Sequence, residues 1–381
     1  MKSIRVMMVL DAMDVSGTET HVLSLVKELQ SRGIYTAVVT GNGSMISRLR
    51  ETGCKIHQMN FPKTLTINSE AESLLLNSLV DLLRKEQISL VHGHQITSGN
   101  ISAKAAKLSN IPFVFTLHGT YFPKSDIKSV LRITDAAVAV SEPVKKQIQP
   151  FFPKNISIIA NGIDTTDFSP SPSLELRKKM NIPPKAKVIL YCSRITRHKA
   201  RICMLLIKAC RDLKLKDIPN LHVIIVGNGS QLKDIKNMAA SIHSSCKEEF
   251  IHFTGEQQNV KDYYALADYV VGTGRVALEA MACERPVISC GNLGYFGEVN
   301  SNNFQQAWEC YFGDHAAKQA SSQAIIYRDL RNLHQSSIGV QTGRELRKLV
   351  LEHFDSKKNI LPLIELYEST IQSFEQQKAI N

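Results

Sequence analysis

Short apolar runs, each the length of one β-strand, recur along this chain with helix-length segments between them. Residues 4–10 form the first such run, and residues 18–31 then place Val22, Leu25, Val26 and Leu29 on one helical face before Gly33 closes it. The next strand covers 37–40, with further runs at 90–92, 113–117, 136–140 and 157–159. Strands apolar on both faces, alternating with helices, predict a parallel sheet covered on both sides.

The composition changes at Asn161, Gly162, Ile163 and Asp164. The stretch Phe168, Ser169, Pro170, Ser171, Pro172, Ser173 that follows suits neither helix nor strand. A second alternating series begins at 188–192 and continues at 221–226, 250–254, 269–271 and 287–289. The expectation is an α/β chain of two doubly wound Rossmann-like domains facing an interdomain cleft. Residues 1–165 form the first domain and 166–360 the second, and 361–381 is a C-terminal helix packing back on the first. From about Glu345 the chain is helical, with one stripe of Leu346, Leu349, Val350 and Phe354 and another of Leu363, Leu366, Ile371 and Phe374. Ligands of such sheets bind beyond the carboxyl ends of the strands.

Composition narrows the class. A chain of 381 residues, 43% hydrophobic and 21% charged, builds full cores, which excludes a disordered chain, a collagen-like repeat and a small disulfide-stapled module. Lys and Arg number 46 against 35 Asp and Glu, a surplus of +11 that points to anionic partners. No apolar run reaches the length of a membrane span. The N-terminal run is too short for a signal peptide and meets Asp11 and Asp14, so the expected location is cytoplasmic. The eight cysteines include no Cys-x-x-Cys and are expected to be core thiols. His92 and His94 are alternate strand residues able to face one ligand, but no third ligand lies nearby, and no metal site is expected. Phe304, Ala307, Trp308 and Tyr311 form an aromatic stripe, read as core in preference to a docking face.

The strand-to-helix loops hold the unusual chemistry. Ser16, Gly17, Thr18 and Glu19 open the first helix, either as an anion site or as an ordinary N-cap by Ser16 or Thr18. His118 and Gly119 follow the strand at 113–117, where a structural histidine is an equal alternative. Arg194, Arg197, His198 and Lys199 crowd the exit of the strand at 188–192 and suit a phosphate-rich ligand. Gly227, Asn228 and Gly229 form another glycine-bearing exit. At 269–282 a strand runs into Gly272, Thr273 and Gly274, then into a helix whose first N–H groups face a ligand. Glu279, inside that helix, offers two carboxylate oxygens to a diol.

These residues resemble the group 1 family of retaining glycosyltransferases, which use nucleotide sugars and have the GT-B fold, over nearly the whole chain. Ser16, Gly17, Thr18 and Glu19 are similar to the family's Gly-Gly-x-Glu loop, and Leu117, His118 and Gly119 to its histidine motif. Asn161 to Asp164 resemble the crossover signature. Ser193, Arg194, Ile195, Lys199 and Ala200 resemble the motif whose Arg and Lys hold the diphosphate. Leu278 to Ala282 with Arg285 to Ile288 resemble the segment whose Glu binds ribose.

The resemblance implies catalytic roles for His118, Arg194 and Lys199. It implies donor binding by Gly17, Gly227, Gly272, Thr273, Gly274, Arg275 and Glu279, with Arg275 reaching a diphosphate or an acidic acceptor. No cofactor or metal is implied. The sequence departs from the family at Val271, where an acidic residue usually stands, and at Glu284, where glycine is expected. The stretch from Gly291 to Glu298 is glycine-rich without matching the family's Gly-Gly loop cleanly.

The activity so implied is sugar transfer with retention from a nucleotide-diphosphate donor, UDP-linked, to a hydroxyl acceptor in cell-surface glycan or glycoconjugate synthesis. The enzyme would be of hexosyl- or N-acetylhexosaminyltransferase type. Alternatives are a degenerate nucleotide-sugar-binding partner subunit and a nucleotide-sugar epimerase. Partners are the nucleotide sugar, a glycan, lipid-linked or small-molecule acceptor and, through Lys145, Lys146 and 177–179, peripheral contact with an anionic membrane. Nucleic acid is not expected, and the sequence spells no particular acceptor.

Overall fold

The computed structural model of the chain describes residues 3–62, 70–291, 293–336 and 339–380. Residues 1, 2, 292 and 381, which fall within the ranges given above, lie outside them. The chain divides into two compact units, Met1–Gly162 with Ser356–Asn381, and Ile163–Asp355. The expected boundaries at 165 and 360 therefore fall a few residues early, at 162 and 355. A backbone bridge explains the shift: Ile163 pairs with Asp355, and its N–H donates to the Phe354 carbonyl at 2.7 Å, so the second unit is closed by its own first and last residues.

Among its described residues unit 1 holds seven parallel strands: β1 (Arg5–Val9), β2 (Tyr35–Thr40), β3 (Lys55–Gln58), β4 (Leu90–Gly93), β5 (Phe113–Leu117), β6 (Ala136–Ala139) and β7 (Ile156–Ile158). Their order in the sheet is β3-β2-β1-β4-β5-β6-β7. The central strands are buried on both faces, and alternate residues feed two cores. Met7, Val9 and Val91 enter one, and Val6, Met8 and Leu90 the other. The helix Ser356–Ile380 completes the second core with Ile360, Leu363 and Tyr367. It is fixed to the helix Gly17–Ser31 and its C-cap by Ser356 Oγ donating to Glu28 Oε1 (2.9 Å) and Arg32 Nη2 donating to the Lys357 carbonyl (2.8 Å).

Unit 2 repeats the plan with β8 (Lys187–Cys192), β9 (Leu221–Val226), β10 (Ile251–Gly255), β11 (Tyr269–Gly272), β12 (Val287–Gly291) and β13 (Gly294–Glu298), ordered β10-β9-β8-β11-β12-β13. All pairs are parallel except β12 with β13, which is antiparallel. Two strands differ from the sequence reading. β3 is a half-polar strand at the sheet edge, and β13 carries glycines, so neither forms an apolar run. Phe304, Ala307 and Tyr311 are buried, and Trp308 packs its ring 4.8 Å from Phe354, so the aromatic stripe is core.

Candidate active site

In each sheet the strand order reverses beside its first strand, between β1 and β4 in unit 1 and between β8 and β11 in unit 2. Chains leaving two such strands turn to opposite faces and open a crevice at their carboxyl ends.

In unit 2, β8 ends at Cys192, and the helix Arg197–Lys216 begins five residues later. Arg194 is exposed in the intervening turn, and Lys199 is half-buried in the first turn of the helix. Tyr191 Oη donates to the Lys199 carbonyl at 2.8 Å. The turn is zipped to the exit of β9: Ser193 N–H donates to Val226 O (2.9 Å) and Ile195 N–H to Asn228 O (2.8 Å). Gly227 is required by this closeness, because a Cβ there would stand 1.9 Å from the Ser193 carbonyl oxygen. Its identity thus has a packing cause that needs no ligand.

β11 passes into the helix Gly274–Ala282 through Thr273 alone. Val271 is fully buried in β11 and aligned with Tyr191 and Ile288, so an acidic residue at that position would be buried in the core. Thr273 stands at the N-cap position, but its hydroxyl donates to the Phe312 carbonyl at 2.5 Å and caps no helix N–H.

Both oxygens of Glu279 are engaged. Oε2 accepts from Tyr264 Oη at 2.9 Å, and Oε1 from Arg275 Nη2 at 3.1 Å. Arg275, given by the resemblance to a diphosphate or an acidic acceptor, is 8% exposed and directs one guanidinium nitrogen to a carboxylate of this chain. Four residues separate the pair, one helical turn, and either charge buried alone would be costly. A carboxylate has about four lone-pair sites, so these two bonds orient Glu279 without by themselves exhausting it. Burial first, and the Glu279 carboxylate second, hold the Tyr264 phenol well above its usual range, as a neutral donor. The Cys192 thiol is pushed up to about 12 by burial, raised further by Glu279 and lowered by Lys199. Cys192 therefore lies within the fields of both, and Lys199 and Glu279, far apart in sequence, converge on the end of β8.

The residues of unit 1 come together separately. Asp11, just past β1, accepts from Ser98 N–H at 2.7 Å, and its own N–H donates to Gln95 Oε1 at 2.5 Å. Gln95 Nε2 donates to Glu19 Oε1 at 2.8 Å, and the Ser16 hydroxyl bonds the other Glu19 oxygen. Ser16 is thus at the N-cap position of the helix Gly17–Ser31 but makes no side-chain cap, contrary to the ordinary N-cap reading. Gly17 is the first helical residue and is exposed. Burial raises the Asp11 carboxyl, and the bonds from Ser98 offset part of that rise.

His118 is buried just past β5, its Nε2 3.2 Å from His94 Nδ1 and its ring 5.3 Å from that of His21. Both nitrogens of His92 are taken, by Tyr367 Oη at 2.6 Å and Thr116 Oγ1 at 2.7 Å. Burial, aided by His118, lowers His92 to about 3, and burial holds His94 well below its usual value. The four imidazoles pack into one cluster, in which burial favours the neutral form of His92 and His94. Among the described residues no group of three or more His, Cys, Asp or Glu side chains is arranged to hold a metal ion.

Tyr264, Gln95 and His21 were not singled out by sequence. Tyr264 arrives from the separate helix Lys261–Leu266, so no local spacing marks it. All eight cysteines are free, four buried and four half-buried, which makes the core-thiol expectation right for half of them. No helix among the described residues is long and apolar enough to cross a membrane.

Comparison with known proteins agrees with this layout. The glycosyltransferase family 4 model matches residues 15–167, and the glycosyl transferases group 1 model matches residues 173–331. The alpha-monoglucosyldiacylglycerol synthase of Streptococcus pneumoniae is 23% identical over 355 residues, covering 85% of this chain and 78% of that protein. The D-inositol 3-phosphate glycosyltransferase of Kineococcus radiotolerans is 24% identical over 320 residues, covering 72% of this chain and 73% of that protein. Among solved structures, Anabaena Alr3699/HepE in complex with UDP and glucose superposes with a TM-score of 0.76 at 17% identity, over 96% of this chain and all of that one. The paired α/β units have the GT-B architecture of such glycosyltransferases. The two family models together span most of the chain, which belongs to the group 1 glycosyltransferases.

Proposed function

We propose that the protein transfers a sugar, a hexose or N-acetylhexosamine, from a UDP-linked donor to a hydroxyl acceptor with retention at the anomeric carbon. The observation that carries this reading is the convergence of Lys199 and the oriented Glu279 carboxylate at the end of β8, with Arg194 in the same exit. A carboxylate suits the two hydroxyls of a ribose, and cations beside it suit the diphosphate. As the glycosidic bond breaks, its electron pair stays with the diphosphate oxygen, and Arg194 and Lys199 stabilise that charge. The acceptor hydroxyl attacks from the face the diphosphate leaves, and a phosphate oxygen takes its proton. In this reading the positive charge comes from side chains, with no metal required. Unit 1 supplies the acceptor surface and His118.

The acceptor is a cell-surface glycan or glycoconjugate precursor. Two relatives of nearly equal similarity are named for a diacylglycerol lipid and for inositol phosphate, so overall likeness does not choose between acceptors. A lipid-linked acceptor would bring the protein to the inner face of a membrane, where Lys145, Lys146, Lys178 and Lys179 would favour anionic lipid.

The test is incubation of the full chain with UDP-, GDP- and ADP-sugars, with and without chelator, followed by product analysis. Release of nucleoside diphosphate with a transferred or hydrolysed sugar of unchanged configuration supports the proposal. An epimerised sugar would establish the epimerase reading instead, and binding without turnover the partner-subunit reading.

A further inference from the structure

The turn from β11 into the helix Gly274–Ala282 carries no acidic side chain of its own, yet the structure brings one to it from elsewhere. The segment after the helix Phe304–Glu309 folds over this turn. Its position is fixed by Thr273 Oγ1 donating to the Phe312 carbonyl at 2.5 Å. It is fixed again by the approach of Gly313 to Gly291, where a Cβ would stand 2.2 Å from the Gly313 carbonyl oxygen. Tyr311, Phe312 and Gly313 all lie in the left-handed region, with φ of 49°, 53° and 82°. Two adjacent non-glycine residues there are costly, roughly 1–2 kcal/mol each. The stacked rings of Tyr311 and His315, 4.5 Å apart, help to hold them. Strain of this kind marks segments whose conformation does something beyond connecting elements.

What this segment presents is Asp314. Its Oδ2 lies 3.8 Å from where a Cβ on Gly274 would stand, at the first residue of the helix that carries Arg275 and Glu279. Its other oxygen, Oδ1, is buried and, among the described residues, accepts no hydrogen bond. Ser289 Oγ, fully buried at the end of β12, is likewise without a partner, and it lies 3.5 Å from where a Cβ on Gly313 would stand. Buried polar atoms are nearly always paired, so the orphan oxygen of Asp314, a side chain that is itself only half-buried, calls for a ligand with hydroxyl donors. An orphan carboxylate oxygen accepts and does not donate. It therefore suits neither the diphosphate nor another carboxylate, and does suit a sugar hydroxyl.

We infer that Asp314 is the residue that recognises the transferred sugar, its carboxylate accepting hydrogen bonds from hydroxyls of the donor's glycosyl group. This rests on the nucleotide-sugar reading above and adds to it the residue that distinguishes one sugar from another. The carboxylate expected at position 271 is thereby replaced from a different part of the chain. β11 cannot hold it there, and the strained segment after Glu309 delivers one to the same helix start.

The experiment is calorimetric titration of the full chain, wild type, Asp314→Asn and Asp314→Ala. The titrants are UDP, GDP and ADP and then, for the nucleotide that binds, its glucose, galactose and N-acetylglucosamine derivatives. Asp314→Asn keeps the shape and the fold if Asp314→Ala does not. The expected result is free nucleoside diphosphate binding within about two-fold of wild type in both variants. Nucleotide-sugar binding weakens about 10- to 100-fold in Asp314→Ala, and the preference among the sugars collapses. Nucleotide-sugar affinity and preference unchanged in either folded variant, with nucleotide binding intact, would overturn the inference alone. Absence of nucleotide binding in the wild type would overturn the reading beneath it and this inference together.

Discussion

The strand ends of the two units occupy equivalent places in two sheets whose first five strands share one order, and they hold different chemistry. Around β1 and β4, unit 1 gathers buried imidazoles, with His92 lowered to about 3, and a chain of hydrogen bonds from Ser98 through Asp11 and Gln95 to Glu19 and Ser16. Around β8 and β11, unit 2 gathers Arg194, Lys199 and a buried ion pair, Arg275 with Glu279. The topology accounts for where each group stands. The side chains account for what each can hold: imidazoles and hydrogen-bonded carboxylates suit the hydroxyls of an acceptor, and cations beside a carboxylate suit a phosphorylated donor.

Glu279→Ala breaks the unit 2 side of this contrast most severely. It removes the proposed ribose ligand and leaves Arg275 buried without its carboxylate, which costs about 3–5 kcal/mol of stability. Urea melts of wild type and variant measure it. A loss below about 1 kcal/mol would mean that Arg275 finds solvent or another partner. Next come Arg194→Ala and Lys199→Ala, each expected to lower kcat by about 10²- to 10³-fold, the effect of removing one group that stabilises developing charge. Steady-state kinetics with saturating donor check this, and wild-type kcat in both variants would remove the diphosphate role from that loop.

How much of this was legible in the sequence follows from where the determinants lie. The apolar runs disclosed eleven of the thirteen strands among the described residues because strands buried on both faces advertise themselves residue by residue. β3 and β13 escaped because an edge strand and a glycine-bearing hairpin strand bury too little to leave a pattern. Glu279 stood out as a charge among apolar neighbours, and Lys199 as one of a crowd of cations at a strand exit. Tyr264, Gln95 and Asp314 did not, since each reaches its place from a separate segment. Arg275 was visible as a cation, but its bond to Glu279 was not: their spacing is that of an intrahelical pair, and burial of both brings them together.

The buried histidines of unit 1 are sharpened by pH. His92 takes up its proton near 3 when folded and near 6.5 when unfolded, so the unfolded chain binds more protons throughout that window and stability falls as pH drops. One such group removes about 2 kcal/mol between pH 7 and pH 5. His92→Gln should lessen the difference between melts at pH 7 and pH 5 by about that amount, whereas an unchanged difference would place the acid sensitivity elsewhere. The counterpart in unit 2, His222, lowered to about 4 mainly by burial, lies at the start of β9, the opposite end of that strand from Gly227.

The smallest effect concerns the helix carrying Glu279. Glu284, just past its end, has φ of +61°, a conformation that glycine adopts without penalty. Glu284→Gly should stabilise the protein by about 1 kcal/mol in urea melts with kcat unchanged. A destabilised variant would show that the side chain contributes more than its backbone strain costs.

The division of labour between the units is tested most directly by titrating UDP into the full chain and into the Arg194→Ala/Lys199→Ala double variant, with His118→Ala as the unit 1 control. Saturable binding by wild type, unchanged by His118→Ala and weakened at least about 100-fold in the double variant, is the predicted result. Equal affinity in the double variant, or loss of UDP binding on replacing His118 alone, would contradict it.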